Sequence, residues 1–259
     1  MYSGTIGSGK SYHALEDIVA TLDKGKYVIA NFPLQFSPGQ IRRGYADRFM
    51  YMDDRYLMGV AGIRQLLDIS RRHGWDEAEE EGLCLVVIDE ATNYFPKEDN
   101  TKPEQRLWRT FFTQSRKLGY DFILIVQDDN SINKTIGKCI EYDVKHRKAN
   151  NIFPFRLLNL FRITVFVHVT YWKQQRQRLK SSSTLFVKRL ASMYQSKKMF
   201  ADFDGQLDEF IKSVPSSEIP PAFFGNCKPE AEPDGGGLAN GRGPEGEGPD
   251  SEAPTVAAI

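Results

Sequence analysis

Two short segments carry the residue types that phosphate chemistry needs. The first is GTIGSGKS, residues 4–11. Gly4, Gly9, Lys10 and Ser11 meet the spacing G-x-x-x-x-G-K-[ST], and Gly7 adds freedom inside the loop. Glycines there let backbone N–H groups turn inward around phosphate oxygens, and a helix that follows offers its unpaired first-turn donors to the same anion. On this pattern Gly4, Thr5, Ile6, Gly7, Ser8, Gly9, Lys10, Ser11 and Tyr12 form the cradle. Lys10 is placed to meet the outer phosphates as a point charge, and the Ser11 hydroxyl to ligate Mg²⁺. The expected ligands are ATP and Mg²⁺.

The second segment is LCLVVIDEA, residues 83–91, an apolar run that ends at two carboxylates. Carboxylates leaving the carboxyl end of a buried strand stand where α/β sheets bind their ligands. Asp89 is the expected second metal residue, acting through water, and Glu90 the residue that polarises an attacking water. Gln127 ends the next apolar run, FILIVQ, and lies beside Asp89 if the two strands are neighbours. It is the candidate for orienting the water or sensing the γ-phosphate. Arg109, Arg116 and Arg147 are candidates for an arginine finger supplied to a neighbouring subunit, with Arg116 taken as the catalytic candidate. His13 and His146 have no partner at ligand spacing and are expected to be surface or supporting residues.

The elements that must position these groups are legible in outline. SYHALEDIVATLDKG (11–25) repeats Tyr12, Leu15, Val19 and Leu22 at helical spacing and closes at Gly25. KYVIANF (26–32) is a strand stopped by Pro33, and MYMDDRYL (50–57) reads as irregular or peripheral. GIRQLLDISRRHG (62–74) and PEQRLWRTFFTQSRKLG (103–119) read as helices, the second with Leu107, Phe111 and Phe112 on its apolar face. A short helix lies in NSINKTIGKCI (130–140), with strands around EYDVKHRK (141–148) and the alternating stretch 163–171. Strand–helix–strand order with nearly continuous apolar strands predicts an α/β fold, a mostly parallel sheet sandwiched by helices, with additional strands after the two apolar ones.

The formal net charge of zero averages two unlike parts. From Pro229 onward there are seven acidic residues and one basic residue, leaving 27 acidic against 33 Lys and Arg in positions 1–228. The expected organisation is a core over 1–172, a basic and partly helical extension over 173–228, and a disordered acidic Gly/Pro-rich tail over 229–259. KQQRQRLKSSS, with Lys173, Arg176, Arg178 and Lys180, is expected to be exposed and able to meet anionic lipid or DNA phosphates. Three widely spaced cysteines fit a reducing compartment, with neither a disulfide framework nor a zinc pattern. No stretch of eighteen apolar residues marks a membrane span.

One feature conflicts with the glycine loop. A central strand ought to precede it, yet only Met1, Tyr2 and Ser3 do, roughly 10 Å of extended backbone. The expectation is a stub in which Tyr2 alone packs and the loop is weakly supported, unless an apolar run lies upstream.

Beyond a general phosphate loop, GSGKSYHA, VIANFPL, LVVIDEATNYFP and TFFTQSRKLGYDFILIVQDDNSINKTI resemble the zonular occludens toxin family, the filamentous-phage assembly ATPases. The resemblance runs over about residues 1–150 and on toward 172. It implies an ATPase of the additional-strand P-loop class, with Gly4, Gly9, Lys10 and Ser11 as Walker A, Asp89 and Glu90 as Walker B, and Gln127 ending the sensor strand. It also implies a homo-oligomer at the host inner membrane that drives virion extrusion, exchanging a single-stranded-DNA-binding protein for coat protein. Two departures stand out. Gln114-Ser115-Arg116-Lys117 replaces a histidine-containing cluster of many members, and the membrane span of typical members has no counterpart. The chain is therefore expected in the host cytoplasm, peripheral to the inner membrane, with anchoring by a partner protein, a lost segment or a peripheral basic surface. The alternatives are a ring translocase or packaging ATPase acting on DNA directly, and a non-catalytic nucleotide-binding adaptor. Intact Lys10, Ser11, Asp89 and Glu90 speak against the adaptor.

Overall fold

The computed structural model describes residues 1–78, 80–99, 101–151, 163–175 and 177–194. The expected tail over 229–259 and residues 195–228 of the extension lie outside the described residues.

The apolar runs form strands and the periodic segments form helices, in the order β1 (Tyr2–Ser3), α1 (Lys10–Asp23), β2 (Tyr27–Ala30), α2 (Pro38–Arg42), α3 (Tyr45–Arg48) and β3 (Phe49–Tyr51). There follow α4 (Asp54–Leu57), α5 (Gly59–His73), β4 (Cys84–Ile88), α6 (Pro103–Gln114) and β5 (Tyr120–Leu124). The remaining elements are α7 (Lys134–Gly137), β6 (Tyr142–Lys148), β7 (Val165–Trp172), β8 (Gln177–Leu185) and α8 (Lys188–Ala191). Two four-stranded ladders, β3-β2-β4-β5 and β1-β6-β7-β8, meet where Tyr2 pairs in parallel with Ile125. Strands β1 to β6 run parallel, and β7 and β8 close the edge antiparallel. Strand β5 thus separates the loop-bearing β1 from the acid-bearing β4.

Alternation along β4 decides how the layers bury. Leu85 and Val87 face Leu15, Ile18 and Leu22 of α1, together with Val28, Ala30 and Ile123. Cys84, Val86 and Ile88 face the other way, toward Leu66 of α5 and Trp108 and Phe111 of α6. A strand covered on both faces must be apolar throughout, which is why CLVVI shows no polar alternation. Two face assignments differ from expectation. Ile18 is fully buried in α1 where Val19 is only half-buried, and in α6 Trp108 takes the core position while Leu107 is 49% exposed. The Trp108 indole donates to Gly59 O at 3.0 Å, which satisfies its one polar atom.

Three segments are more regular than their sequence pattern. Residues 49–51 form an edge strand parallel to β2, and Met52 and Leu57 beside them are buried. The basic stretch after Trp172 is exposed as expected, but Gln177–Leu185 is a strand paired to β7 across a bulge at Thr170/Tyr171. The sheet therefore continues past residue 172. Lys173 does not belong to an exposed patch: it is half-buried near Asp143 and Asp129, and burial holds its ammonium below the usual lysine range.

The two-residue β1 is footed by more than Tyr2. Val126 N–H donates to Tyr2 O at 2.9 Å and Val144 N–H to Met1 O at 2.8 Å, so both edges of the stub are paired. Ser3 Oγ donates to Asp143 Oδ1 at 3.3 Å. The Tyr2 ring stacks on His13 with centroids 4.7 Å apart, and its hydroxyl donates to Asp17.

His13 and His146 are brought together here and joined by His168, which sits opposite His146 across the β6–β7 ladder. His13 and His168 stack at 3.9 Å. The carbonyl of Val144 only accepts, so His146 Nδ1 carries a proton and donates to it at 3.0 Å. His146 Nε2 is then an acceptor, and His13 Nδ1 donates to it at 2.9 Å. This order requires the His146 ring to be neutral. Burial lowers His13 to about 4 and His146 to about 3, and His168, also lowered by burial, to about 4.

The unfolded chain takes up these protons near pH 6.5, whereas the folded chain resists them until about pH 4 or 3. Stability is therefore full above pH 6.5 and falls as the pH drops toward 4. For His13 and His146 together we expect a loss on the order of 2–4 kcal/mol between pH 7 and pH 5. Glu16 and Asp17, raised by burial, work in the opposite direction. Urea unfolding of wild type beside His146→Gln at both pH values isolates the histidines, and an equal pH slope in the two proteins contradicts the assignment.

Candidate functional site

Residues 4–9 turn through three glycines in the left-handed half of backbone space, at φ 145° for Gly4, 74° for Gly7 and 95° for Gly9. At two of them space matters as well. A Cβ on Gly4 would lie 2.6 Å from His146 O, and one on Gly9 would lie 2.5 Å from the Phe166 ring. The loop is thus pressed onto β6 and β7, and only glycine fits both contacts.

Helix α1 starts directly from this turn with Gly9 as N-cap and no side chain capping it. The N–H of His13 already reaches Gly9 O at 2.9 Å, so the first-turn N–H groups of Lys10, Ser11 and Tyr12 lack intrahelical acceptors. Ser8 Oγ is buried without a hydrogen-bond partner. Unpaired donors and an orphaned buried hydroxyl around a glycine turn are what a phosphate would satisfy, so these residues fit the expected nucleotide.

Each expected loop residue has a definite place. Lys10 Nζ donates to Gly4 O at 2.7 Å and Thr5 O at 3.1 Å, bridging the loop's own carbonyls. Partial burial lowers its pKa, and the charges of Asp89 and Glu90 oppose that shift, which locates both acids near the ammonium. Ile6 is 83% exposed at the crest of the loop. Tyr12 differs from expectation: its ring packs between Phe166 and Phe186, and its hydroxyl bridges Leu185 O and Val187 N–H at 3.0 Å each. Only its backbone N–H remains for a ligand.

The two segments meet at one hydrogen bond. Ser11 Oγ donates to Asp89 Oδ2 at 3.0 Å, joining residues 78 positions apart. Asp89 is 7% exposed, and burial raises its carboxyl pKa despite donors from the Glu90 N–H, Ser11 and Tyr194. A divalent cation would favour the ionised form that burial disfavours, and the oxygen pair Ser11 and Asp89 suits Mg²⁺. Glu90 has φ 49°, the only positive value at a non-glycine among the described residues. That left-handed turn ends β4. Gln127 Nε2 donates to the Glu90 carboxylate at 3.2 and 3.4 Å, since β4 and β5 are parallel neighbours. The condition for placing Gln127 at the site, that the two strands are neighbours, is met, and its partner is Glu90, one residue past the expected Asp89.

Arg116 is not brought to the site of its own subunit. It lies in the turn Ser115–Leu118 that enters β5, at the strand end opposite Gln127, and its guanidinium is paired with Glu141. Arg147 is exposed two residues beyond Lys145, whose register partner is Ser3, and so stands at the level of the loop.

Two contributors went unrecognised. Asn31, just past β2, holds the backbone of Asp89 from both sides: its Oδ1 accepts from Asp89 N–H at 2.7 Å and its Nδ2 donates to Asp89 O at 3.0 Å. The same amide donates to Asp54 at 3.2 Å, and Asp54 also accepts from the Tyr94 hydroxyl. A buried Asn at the end of YVIA was the available signal, since a buried amide needs partners. Tyr194 donates to Asp89 Oδ2 at 3.2 Å, and no local pattern announces that contact.

A parallel sheet with β5 inserted between the loop strand and the acid strand, and a glycine loop bonded through Ser11 to Asp89, define a P-loop NTPase domain. Residues 1–198 match the family described as Zonular occludens toxin (Zot), and the chain belongs to that family. The Gene 1 protein of Enterobacteria phage fd is 28% identical over 157 residues, 59% of this chain and 43% of that protein. The Gene 1 protein of Enterobacteria phage I2-2 is 29% identical over 154 residues, 58% of this chain and 40% of its own. The match thus spans about two-fifths of these relatives' length.

Among solved structures, the N-terminal domain of zonular occludens toxin from Neisseria meningitidis aligns with a TM-score of 0.42 at 14% identity, covering 75% of this chain and 96% of that one. The genome packaging NTPase B204 from Sulfolobus turreted icosahedral virus 2, in complex with ATP-gammaS, aligns at 0.46 and 14% identity, covering 70% and 94%.

Replacing Asn31 by Ala strands the Asp89 N–H and C=O in the interior. The expected cost is about 2–4 kcal/mol in urea unfolding, since each orphaned group loses its partner without regaining water. A cost no larger than that of an exposed Asn→Ala change would contradict the clamp.

Proposed function

We propose that this chain is a Mg²⁺-dependent ATPase that hydrolyses ATP to ADP and phosphate and works as one subunit of a homo-oligomeric ring. The observation that carries the proposal is the Ser11–Asp89 hydrogen bond, which places a phosphate loop and a buried acid at one point. Bound Mg²⁺ would neutralise charge on the terminal phosphates. Gly4–Gly9 and the first-turn N–H groups of α1 hold the phosphates, Lys10 counters their charge, and Ser11 and Asp89 hold the metal. Glu90 accepts the proton of the attacking water, and Gln127, bonded to the Glu90 carboxylate, orients it. An arginine finger comes from a neighbouring subunit. Arg116 can serve only in that way, after releasing Glu141, whereas Arg147 already stands at the level of the loop.

Membership of the Zot family supports a motor for filamentous-phage assembly and extrusion, with coat protein and a complex of single-stranded-DNA-binding protein as partners, at the cytoplasmic side of the host inner membrane. Among the described residues no helix is long and apolar enough to cross a membrane. A second reading is a ring translocase that moves or packages DNA directly, and the exposed Arg178 and Lys180 on β8 favour it.

ATPase assays on wild type, Lys10→Ala and Glu90→Gln test the common step. We expect both variants to lose turnover by about 100-fold or more, with Glu90→Gln retaining ATP binding. Glu90→Gln turning over at the wild-type rate would remove Glu90 from the mechanism. Strong stimulation by bare DNA, lost in an Arg178→Ala/Lys180→Ala double variant, would select the second reading.

A further inference from the structure

We propose that Tyr194 is a positioning residue for the metal-holding carboxylate, an inference that rests on the assignment of Ser11 and Asp89 to Mg²⁺. Asp89 offers two oxygens, and the structure divides them. Oδ1 accepts the N–H of Glu90 at 2.9 Å, while Oδ2 accepts two hydroxyls, Ser11 at 3.0 Å and Tyr194 at 3.2 Å. A serine hydroxyl that gives its lone pair to a metal can still donate its proton to a carboxylate, so the Ser11 bond is compatible with occupancy. Tyr194 supplies the second fixed donor. It sets the plane of the carboxylate.

The Tyr194 side chain is held for this task. Its ring packs on Phe32 at 4.9 Å, and its backbone bridges Leu34 in antiparallel fashion, reinforced by Gln35 N–H to Met193 O at 2.9 Å. Phe32 and Leu34 continue the chain from Asn31, the residue that clamps the Asp89 backbone. Thus the segment after β2 fixes the main chain of Asp89 directly and its carboxylate through Tyr194. The path into Tyr194 is tied at its other end to the phosphate-loop helix, where Tyr12 bridges Leu185 and Val187. Outer partners of this kind orient metal-holding groups, and their loss typically weakens metal affinity or activity by 10–100-fold.

The test is Tyr194→Phe, which removes one oxygen and keeps the ring on Phe32. Binding of a fluorescent ATP analogue is followed while Mg²⁺ is titrated, beside thermal melting of the same samples. We expect the Mg²⁺ midpoint to rise by about tenfold with little change in melting temperature. Phe32→Leu, a packing control, should lower the melting temperature and leave the Mg²⁺ midpoint closer to wild type than Tyr194→Phe does. An unchanged midpoint in Tyr194→Phe, with wild type showing metal-dependent binding, overturns the positioning role alone. Wild type that binds no analogue at any Mg²⁺ concentration overturns the nucleotide site and the positioning role together.

Discussion

A carboxylate at the end of a hydrophobic strand must be held from several sides or it will not stay ionised where chemistry needs it. Asp89 is that group. It ends the most deeply buried strand of the sheet, and its support comes from four places in the chain: Ser11 of α1, Asn31 after β2, the neighbouring Glu90 N–H and Tyr194 after α8. Each supporter needs its own element in register. The parallel pairing of β2 with β4 brings Asn31 level with Asp89, and the packing of α1 over Leu85 and Val87 brings Ser11 to the carboxylate. Much of the architecture can be understood as the set of constraints that lets one acid sit there.

The loop imposes the complementary constraint. Its strand is two residues long, so ladder hydrogen bonds alone cannot fix it. The structure compensates with side chains: Met1 in one core and Tyr2 in the other, Ser3 on Asp143, and the histidines that tie α1 to β6 and β7. The tie depends on a neutral His146 ring, which donates to Val144 O and accepts from His13. Gly4 and Gly9 then let the loop lie against His146 and Phe166. A weakly supported loop was the expectation from strand length, and the distributed contacts explain why strand length was a poor guide.

What was legible in the sequence follows a physical division. Local patterns gave the loop, the acid pair and the buried strands, because spacing and hydrophobic runs encode them directly. Positions that depend on which face an element turns inward were less legible, as with Trp108 in place of Leu107 and Ile18 in place of Val19. Contacts between distant segments were legible only where two motifs share a ligand, as with Ser11 and Asp89. Tyr194 reaches Asp89 across 105 residues and the histidines converge from α1, β6 and β7, and neither arrangement leaves a motif. Arg116 shows another limit: its residue type fits the chemistry, but its place, at the strand end away from Gln127 and paired with Glu141, is set by packing that no motif encodes.

The electrostatics of the site tie these observations together. Burial pushes Lys10 down and Asp89 up, so each is held away from its charged form by the same partial desolvation. The charges of Asp89 and Glu90 offset part of that cost at Lys10, while Glu90 adds to it at Asp89. A phosphate beside Lys10 and a divalent cation beside Asp89 would favour both charged forms at once, while giving the first-turn N–H groups of α1 and the orphaned Ser8 hydroxyl partners. A ligand that binds only the folded chain stabilises it by mass action, and here it would meet the buried acid and the unpaired donors of the loop. The free domain is therefore organised around interactions that a metal–nucleotide complex completes. That is a physical reason for a chain of this family to hold the Ser11 hydroxyl 3.0 Å from the Asp89 carboxylate.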